Sequence, residues 1–463
     1  MSESKLITAA LAWGVLSFGA VYPWGYVPLL LATTVWAGGS CAARGLGHRR
    51  LALAAALVVA SGALQLVSIP SSTVAWISPG GDALLRQQSP TYFVFAGWHT
   101  LSIDPDQTLA AVLLTAALML FAMGLRSALS SEACAGWATV IARDVLILGT
   151  LVAVLGLVQA ATFNGKLYWF WTPIGHASNA FGPFVNRNHF AGWMVLAVCL
   201  GAGYFGAAAA RIQLDRSADF RKRVLWLSSP EAGRLACTAA ALLTMSVALV
   251  WTLSRSGIIG FAVAAMVFCG GALARGRARA VPIAGTVVLV CAAGLLWRDP
   301  AALVSWYGRT GTLDWRLSLW RDSIAPLKDF WIVGSGLNTY DRVMLSYPLS
   351  DPSLNPVNAH NDYLQLGIEG GLLVAIPVLI LVAVLLYEIY RRFREPQTPE
   401  TYWVRLGSTA GLTGIAVQEL SDFSLRIPGV AILFVTALAI ARHQPHDCPA
   451  RRSHNRLTKR HQH

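Results

Sequence analysis

The chain has 463 residues, of which 55% are apolar and 13% are charged, and its formal net charge is +13. Soluble proteins carry about 25% charged residues, so this chain has too few charges to cover several soluble domains. The apolar content also excludes a disordered chain, and the 41 glycines lack the three-residue period of collagen. The composition therefore predicts an all-α polytopic membrane protein, in which the positions of the basic residues report topology.

About twelve apolar stretches have the length of roughly 20 residues that a helix needs to cross a bilayer. In chain order they lie near residues 6–22, 25–42, 51–69, 107–125, 145–163, 189–210, 235–253, 257–274, 280–297, 365–390, 404–421 and 427–441. The first follows Lys5, as a signal peptide would, but it has no small-residue cleavage site and turns directly into the second. We therefore expect an uncleaved first transmembrane helix.

The basic residues are divided unequally between the two sides that these spans define. If the N-terminus is cytoplasmic, the segments on that side hold 25 of the 36 Lys and Arg residues and have a net charge of +15. The opposite segments hold the other 11, against 13 Asp and Glu residues, and have a net charge of −2. Because loops rich in Lys and Arg face the cytoplasm, the sequence predicts that both termini are cytoplasmic.

The outer segments are longer than the cytoplasmic loops and richer in polar and aromatic residues. We expect a single integral membrane domain over residues 1–463, with a periplasmic loop at 298–364 and a basic cytoplasmic tail at 442–463. A loop of this length is uncommon without a function. The chemistry is therefore expected on the outer face.

Two arginines lie at the predicted outer ends of spans. Arg187 lies between Asn186 and Asn188 at the start of the sixth span, where the two amides can hydrogen-bond it or a ligand. Arg255 lies in a tight Ser-Arg-Ser-Gly turn between the seventh and eighth spans. An ionisable residue held between apolar helices is costly and indicates function, and a guanidinium group binds phosphate with two parallel hydrogen bonds. Arg187 taken alone is equally consistent with a snorkelling arginine at a helix end.

The long outer loop adds Arg309 and Arg316, either of which could contact an anion. Around Arg316, apolar residues recur at helical spacing, which predicts a short amphipathic helix on the membrane face. The predicted apolar face consists of Leu313, Leu317, Trp320 and Ile324. The two tryptophans of this segment, Trp315 and Trp320, are explained more simply by packing than by ligand contact.

The stretch at 358–371 begins the tenth predicted span. Asn358 is expected to cap this helix, which places His360 in its first turn at the outer face. The positive end of the helix disfavours a protonated imidazole, so His360 is expected to be neutral and able to accept a proton. Asp362, Gln365 and Glu369 follow at the helical spacing i, i+3 and i+7 and therefore form a polar stripe on one face of the helix. This stripe is either buried polar packing or part of the site.

The chain resembles the O-antigen ligase family in four segments and in their order. These are GPFVNRNHFAG at 182–192, SRSG at 254–257, NAHNDYLQLGIEGG at 358–371 and DFSLRIP at 422–428. The resemblance implies a metal-independent, inverting glycosyltransferase without a cofactor, which transfers a glycan from undecaprenyl diphosphate to an acceptor hydroxyl. It implies the bacterial inner membrane, with the active site facing the periplasm. The implied partners are the lipid-linked donor, a lipid A-core or glycan acceptor and membrane lipids, without nucleic acid.

The resemblance also assigns roles to residues. It implies that His360 is catalytic and that Arg187 and Arg255 bind the diphosphate, while Arg316 or Arg309 completes the anion site. The expected substrate-binding residues are Arg316, Arg309, Asn186, Asn188, Asn361 and Asp362.

Two alternatives stay open at the level of sequence. A lipid A-core acceptor is preferred, but a repeat-unit polymerase of an O-antigen or exopolysaccharide would use the same donor site. A polysaccharide or lipid transporter is less favoured, because transporters place polar groups near the middle of the membrane, on interrupted helices of two related halves. Gln418 and Glu419 in the eleventh span are the residues that most favour transport.

Overall fold

A computed structural model describes residues 3–45, 49–88, 92, 97–131, 136–173, 180–211, 228–275, 311–352 and 355–444. Within these ranges the chain is mostly helical and contains one small two-stranded sheet. The predicted ninth span near 280–297, Arg309 and the tail from residue 445 onward lie outside the described residues.

The elements of the described ranges follow in chain order. The helices are α1 (Glu3–Leu16), α2 (Pro23–Arg44), α3 (Arg49–Leu64), α4 (Ser71–Ile77), α5 (Pro79–Gln88), α6 (Pro105–Leu129), α7 (Trp137–Ala161), α8 (Arg187–Arg211), α9 (Pro230–Trp251), α10 (Arg255–Ala274), α11 (Gly311–Asp322), α12 (Ile324–Asp329), α13 (Tyr340–Met344), α14 (Asp362–Arg394), α15 (Pro399–Gln418) and α16 (Pro428–Ala441). Short 3₁₀ turns lie at Phe18–Ala20 and Ser424–Arg426. The antiparallel strands β1 (Ser68–Pro70) and β2 (Trp98–Thr100) pair with each other. They precede α6 on the side that the sequence predicts to be outside, hereafter the outer side.

Each predicted apolar stretch within the described ranges corresponds to a helix. Among the described residues, seven helices are long and apolar enough to span a membrane, namely α2, α6, α7, α8, α9, α10 and α14. Helix α16 has 14 residues, or about 21 Å at 1.5 Å per residue, which is shorter than a bilayer core of roughly 30 Å. The all-α polytopic fold is confirmed, whereas the number of spans and their orientation stay predictions.

Helices α8, α10 and α15 pack closely through small residues. A Cβ added at Gly407 of α15 would lie 2.3 Å from the carbonyl oxygen of Cys199 in α8. Near the outer ends, a Cβ added at Gly257 of α10 would lie 2.5 Å from Cβ of Ala191 in α8. Small residues allow such close approach of membrane helices. The first turns of α8 and α10 are therefore direct neighbours.

The described part of the long outer loop is folded around its own small apolar core. Its helices pack with α5 and the start of α14 around Leu84, Leu319, Phe330, Tyr340, Val343, Met344, Ala359 and Ile368. The predicted helix near Arg316 is present as α11. Leu319 is buried, whereas Leu317 and Ile324 are 43% and 47% exposed. Leu319 packs on the core of the loop, whereas Leu317 and Ile324 belong to the predicted membrane-facing stripe, whose contact with the membrane stays a prediction.

Helix α14 is interrupted at Gly371, whose φ is +54°. Around this break, residues 331–336 of the loop and residues 368–373 of the helix exchange four backbone hydrogen bonds of 2.8–3.0 Å. The contact requires glycine on both sides, because a Cβ added at Gly334 would lie 2.1 Å from the carbonyl oxygen of Glu369. The loop therefore satisfies backbone groups that the break in the helix releases.

A buried glutamine strengthens this attachment. Gln65, which follows α3, donates from Nε2 to the carbonyl oxygens of Val333 at 2.7 Å and Glu369 at 2.8 Å. Its Oε1 accepts a hydrogen bond from the N–H of Leu337 at 3.1 Å. One side chain thus ties the loop to the break in α14.

Candidate functional site

The candidate site lies where the outer ends of α8, α10 and α15 meet α11 of the loop. Arg316 of α11 donates from Nη1 to the carbonyl oxygen of Ser421 at 2.6 Å, and its Nη2 lies 3.8 Å from Oδ2 of Asp422. Burial lowers the pKa of Arg316, and the positive charge of Arg255 lowers it further. The negative charge of Asp422 raises the pKa of Arg316 and so opposes both effects. Arg255 and Arg316 therefore act on each other electrostatically within one site.

Asp422 is fully buried and links several elements. Its Oδ2 accepts a hydrogen bond from Oγ of Ser256 at 3.3 Å, and its Oδ1 accepts one from the N–H of Phe423 at 2.9 Å. Nε2 of His189 lies 4.0 Å from the same Oδ1. Burial raises the pKa of Asp422 to about 6, although Arg316 and these hydrogen bonds favour the ionised form. The carboxyl group connects the starts of α8 and α10 to α11.

The ring of Phe423 lies between two histidines. Its centroid is 4.8 Å from the imidazole of His189 and 4.8 Å from that of His360, with interplanar angles of 72° and 75°. The ring of Trp315 packs edge-on against His360 at 5.1 Å. Such edge-to-face contacts between rings are favourable. They fix the plane of the His360 imidazole between two aromatic side chains.

His360 is neutral in this environment. Burial lowers its pKa to about 3, and the positive charge of Arg316 adds to that effect. Its Nδ1 is buried and has no hydrogen-bond partner within the described ranges. A neutral imidazole with such a nitrogen can accept a proton. The neutral state agrees with the expectation from sequence, although its causes are burial and Arg316 rather than a helix end.

The start of α14 corrects one prediction. The N-cap is Asn361 and not Asn358, because Oδ1 of Asn361 accepts a hydrogen bond from the N–H of Leu364 at 3.1 Å. His360 therefore precedes the helix instead of lying in its first turn. Its φ of +49° is a left-handed conformation that costs a residue with a Cβ about 1–2 kcal/mol.

The backbone before His360 is held in place by side chains on both sides. Nε1 of Trp320 donates to the carbonyl oxygen of Ala359 at 2.9 Å. The N–H of Ala359 donates to Oε1 of Gln365 at 3.0 Å. These bonds oppose relaxation of the strained residue that follows, and they give Trp320 a structural role, which agrees with the simpler explanation from sequence.

Arg187 and Arg255 are the first residues of α8 and α10, two residues before the predicted spans begin, and both are half-buried. The start of α10 is fixed by Ser254, whose Oγ accepts a hydrogen bond from the N–H of Gly257 at 3.2 Å. Arg187 lies in the same helical turn as His189. Both arginines therefore begin helices on the side of the bundle that carries His360.

The asparagines that were predicted to bind substrate also have backbone roles. Oδ1 of Asn186 accepts a hydrogen bond from the N–H of Asn188 at 2.9 Å. The carbonyl oxygen of Asn188 accepts one from Nε2 of Gln418 at 2.9 Å, and Asn361 caps α14. These bonds order the starts of two helices. Substrate binding by the three asparagines stays a prediction.

Asp362 belongs to a partly buried ion-pair network. Its Oδ1 accepts a hydrogen bond from Nε of Arg426 at 3.0 Å, and Nη2 of Arg426 donates to Oε2 of Glu369 at 2.9 Å. Oε1 of Glu369 accepts further bonds from Gln365 at 2.8 Å and from the N–H of Tyr340 at 3.2 Å. Burial by itself would lower the pKa of Arg426, but the carboxylates of Glu369 and Asp362 outweigh this effect and raise it. The polar stripe of α14 thus attaches this helix to the segment after α15.

Four residues of the site and its surroundings were not among those predicted. They are His189, Asp422, Phe423 and Arg426. All four lie in segments that carry the family resemblance, but neither spacing nor hydropathy distinguishes them from ordinary polar and aromatic residues at helix ends. Gln418, which suggested transport, donates to Asn188 and to Oγ of Ser424 beside this site.

The fold and site define a helical membrane protein with a cationic, histidine-containing site at one end of its bundle. Residues 240–379 match the family model described as O-antigen ligase. The matched segment includes Arg255, Arg316 and His360 and two of the four resembling motifs, those at 254–257 and 358–371, and it supports membership of the O-antigen ligase family. No curated protein matches the chain. The family match supports a membrane enzyme of the O-antigen ligase or polymerase kind.

Proposed function

We propose that the protein transfers a glycan from an undecaprenyl-diphosphate-linked donor to an acceptor hydroxyl, on the periplasmic face of the bacterial inner membrane. One observation carries this proposal: the charges of Arg255 and Arg316 and the neutral His360 meet in a single site. Paired guanidinium groups suit a diphosphate, and a neutral imidazole suits an acceptor hydroxyl.

The proposed reaction is a single displacement that inverts the anomeric carbon. The acceptor oxygen bonds to this carbon while the bond between the carbon and the diphosphate oxygen breaks, and the electron pair leaves with the diphosphate. Nδ1 of His360 takes the hydroxyl proton. Arg187, Arg255 and Arg316 stabilise the negative charge that develops on the leaving group. A bound diphosphate raises the pKa of His360, because a nearby negative charge favours the imidazolium.

The arginines supply the positive charge that this leaving group needs, so we propose that the reaction is metal-independent. We favour a lipid A-core as the acceptor. Repeat-unit polymerisation would use the same arginines and histidine with a second lipid-linked repeat as the acceptor. The two activities differ only in the acceptor and are separated by the product.

The test uses purified full-length protein in lipid nanodiscs, in EDTA, with an undecaprenyl-diphosphate oligosaccharide from the same bacterium. Lipid A-core and the lipid-linked repeat are supplied together as competing acceptors. A lipid A-core conjugate supports the ligase, and a longer lipid-linked polymer identifies the polymerase instead. Loss of transfer in EDTA that Mg²⁺ restores would overturn metal independence. Failure to consume the donor under all conditions would contradict the proposed function.

A further inference from the structure

The end of the bundle opposite the candidate site contains a cluster of buried arginines. They are Arg126, Arg392, Arg405 and Arg442. Helix α14 connects the two ends, since Asp362 lies at the candidate site and Glu388 lies in this cluster, roughly 40 Å further along at 1.5 Å per residue. The cluster therefore plays no direct part in the chemistry proposed above.

The carboxylates of the cluster do not balance its arginines. Nη1 of Arg126 and Nε of Arg442 donate to the same oxygen, Oε2 of Glu388, at 2.9 and 2.7 Å. Arg392 pairs with Glu395 at 2.8 Å. The buried Nε of Arg126 and Nη2 of Arg442 have no hydrogen-bond partner among the described residues. Four guanidinium groups thus face two carboxylates in the described part of the chain, and an uncompensated buried charge is costly.

Arg405 contributes most to this imbalance, because no carboxylate of the described ranges lies within 4.0 Å of it. Its Nε donates to the carbonyl oxygen of Ala441 at 3.1 Å and its Nη1 to that of Arg392 at 3.0 Å. Its Nη2 donates to the carbonyl oxygen of His443. Carbonyls near helix C-termini carry only a partial negative charge. Within the described ranges, the positive charge of Arg405 is therefore buried without a carboxylate in direct contact.

A cavity of about 210 Å³ lies beside Arg405. Its lining includes Thr139, Arg211, Thr398, Thr401, Arg405 and His443. This volume is below the roughly 300–1,000 Å³ of sites for larger ligands, so it suits a small ion or a head group. The first turns of α7 and α15 border the cavity, and helix N-termini favour anions. Glu400 also lines the cavity, but it pairs with Arg211 at 3.3 Å.

We propose that this cavity binds a phosphate group, supplied by free phosphate or by the head group of an anionic phospholipid. A phosphate accepts hydrogen bonds from guanidinium groups, hydroxyls and backbone N–H groups alike. Its negative charge would balance the excess of the buried arginines. The predicted topology places this end in the cytoplasmic leaflet, where anionic lipids attract basic segments.

The test is the melting temperature of the full-length protein in detergent with four probes. Sodium phosphate is compared with sodium chloride at equal ionic strength, and phosphatidylglycerol with diacylglycerol, which has no phosphate, in mixed micelles. The variants are Arg405→Gln and Arg211→Gln, with Arg234→Gln as the matched control. Arg234 is an exposed arginine at the same end of the bundle and pairs with Glu231 at 2.8 Å, but it does not line the cavity.

We expect a saturable rise in the melting temperature of the wild type and of R234Q. The two cavity variants are expected to need about tenfold more ligand or more, since a charge-assisted hydrogen bond is lost. A response to inorganic phosphate identifies a free anion, and a response to phosphatidylglycerol alone identifies a lipid head group. The side chain of Arg211 is 63% exposed, so R211Q keeps the test valid if R405Q does not fold. Equal responses of R211Q and wild type, or no response of wild type to either probe, would overturn the proposal.

Discussion

The imidazole of His360 has three features that a general base needs. It is neutral, its Nδ1 has no partner in the described part of the chain, and its plane is fixed between Trp315 and Phe423. Its left-handed φ is maintained by the bonds that hold Ala359. Strain of this kind persists only where the surroundings enforce it, and it clusters at functional sites.

Replacing His360 with alanine is expected to lower kcat by about 10²–10⁴-fold, because that is the usual contribution of a general base. The KM for the donor should change little, since the arginines that hold the diphosphate remain. Glycan transfer by the purified variant measures both constants. His99→Ala, in β2 of the outer layer, serves as the control and should transfer at the wild-type rate. Wild-type transfer by H360A would remove the proposed base.

Replacing Arg255 with alanine is expected to lower kcat by about 10²–10³-fold, as when one donor to a developing oxyanion is removed. Lysine at this position should restore little activity, because an ammonium group lacks the planar fork. Arg187→Ala is expected to behave in the same way. Arg342→Ala is the control, because Arg342 lies on the same side but is half-exposed and pairs with Asp104 at 3.3 Å. Normal transfer by both R187A and R255A would contradict the diphosphate site.

Asp422 makes the site sensitive to acid. Its pKa of about 6 lies above that of an exposed aspartate, so the carboxyl gains a proton as the pH falls through 6 and weakens its attraction to Arg316. We expect kcat/KM to fall on the acid side of pH 6 in the wild type. Asp422→Asn should be less active at pH 8 and should lack this acid limb. An unchanged acid limb in D422N would show that another group titrates.

The same pKa has the opposite effect on stability. Because the folded protein holds the proton of Asp422 more tightly than the unfolded chain does, the contribution of this group to stability decreases as the pH rises from about 4 to 6. Activity and stability should therefore change in opposite directions over that range. Thermal unfolding across these pH values separates the two effects.

Among the elements, the break in α14 determines where the loop can attach. Glycine at 371 and 334 lets the loop backbone approach the helix, and the side chain of Gln65 completes the contact. The N-cap residue of α14, Asn361, follows His360 directly in the chain. One helix therefore positions both the histidine and the loop that contributes Arg316.

Gly371→Ala is expected to lower the melting temperature and to abolish most transfer. Alanine at a φ of +54° costs about 1–2 kcal/mol, and its Cβ would lie 2.5 Å from the nitrogen of Gly334. The control is Gly270→Ala in α10, where no heavy atom lies within 4 Å. That variant should be as stable as the wild type or more so, because alanine favours helix over glycine. Unchanged melting and transfer in G371A would refute the role of the break.

At the scale of the whole molecule, the net charge of +13 separates into unequal parts. Most of the positive excess belongs to segments predicted to be cytoplasmic, and part of it is buried in the arginine cluster of that end. The arginines at the opposite end are fewer, and two of them, Arg187 and Arg255, begin helices at the end that carries His360. The number of basic residues at an end thus indicates topology, whereas their positions at helix starts indicate the anion site.

Single cysteines test the predicted orientation. In a background that lacks the seven native cysteines, Trp331→Cys of the outer loop should react with a membrane-impermeant maleimide in spheroplasts. Arg394→Cys, at the last residue of α14 and beyond the predicted span, should react only after the membrane is permeabilised. Both native side chains are exposed and lie outside the predicted spans, so accessibility depends on the side of the membrane. The reverse pattern would invert the topology and place the site in the cytoplasm.

The sequence by itself determined the helical membrane fold, the position of Arg187 and Arg255 at span ends, and the resemblance to the O-antigen ligase family. These follow from hydropathy, local turn chemistry and short motifs, which depend on neighbouring residues. The tertiary structure alone decided that Asp422 and Phe423 lie at the centre of the site and that α11 packs Leu319 into the core of the loop. Those contacts join segments far apart in the chain, so no local pattern encodes them, and only the close packing of the helices brings them together.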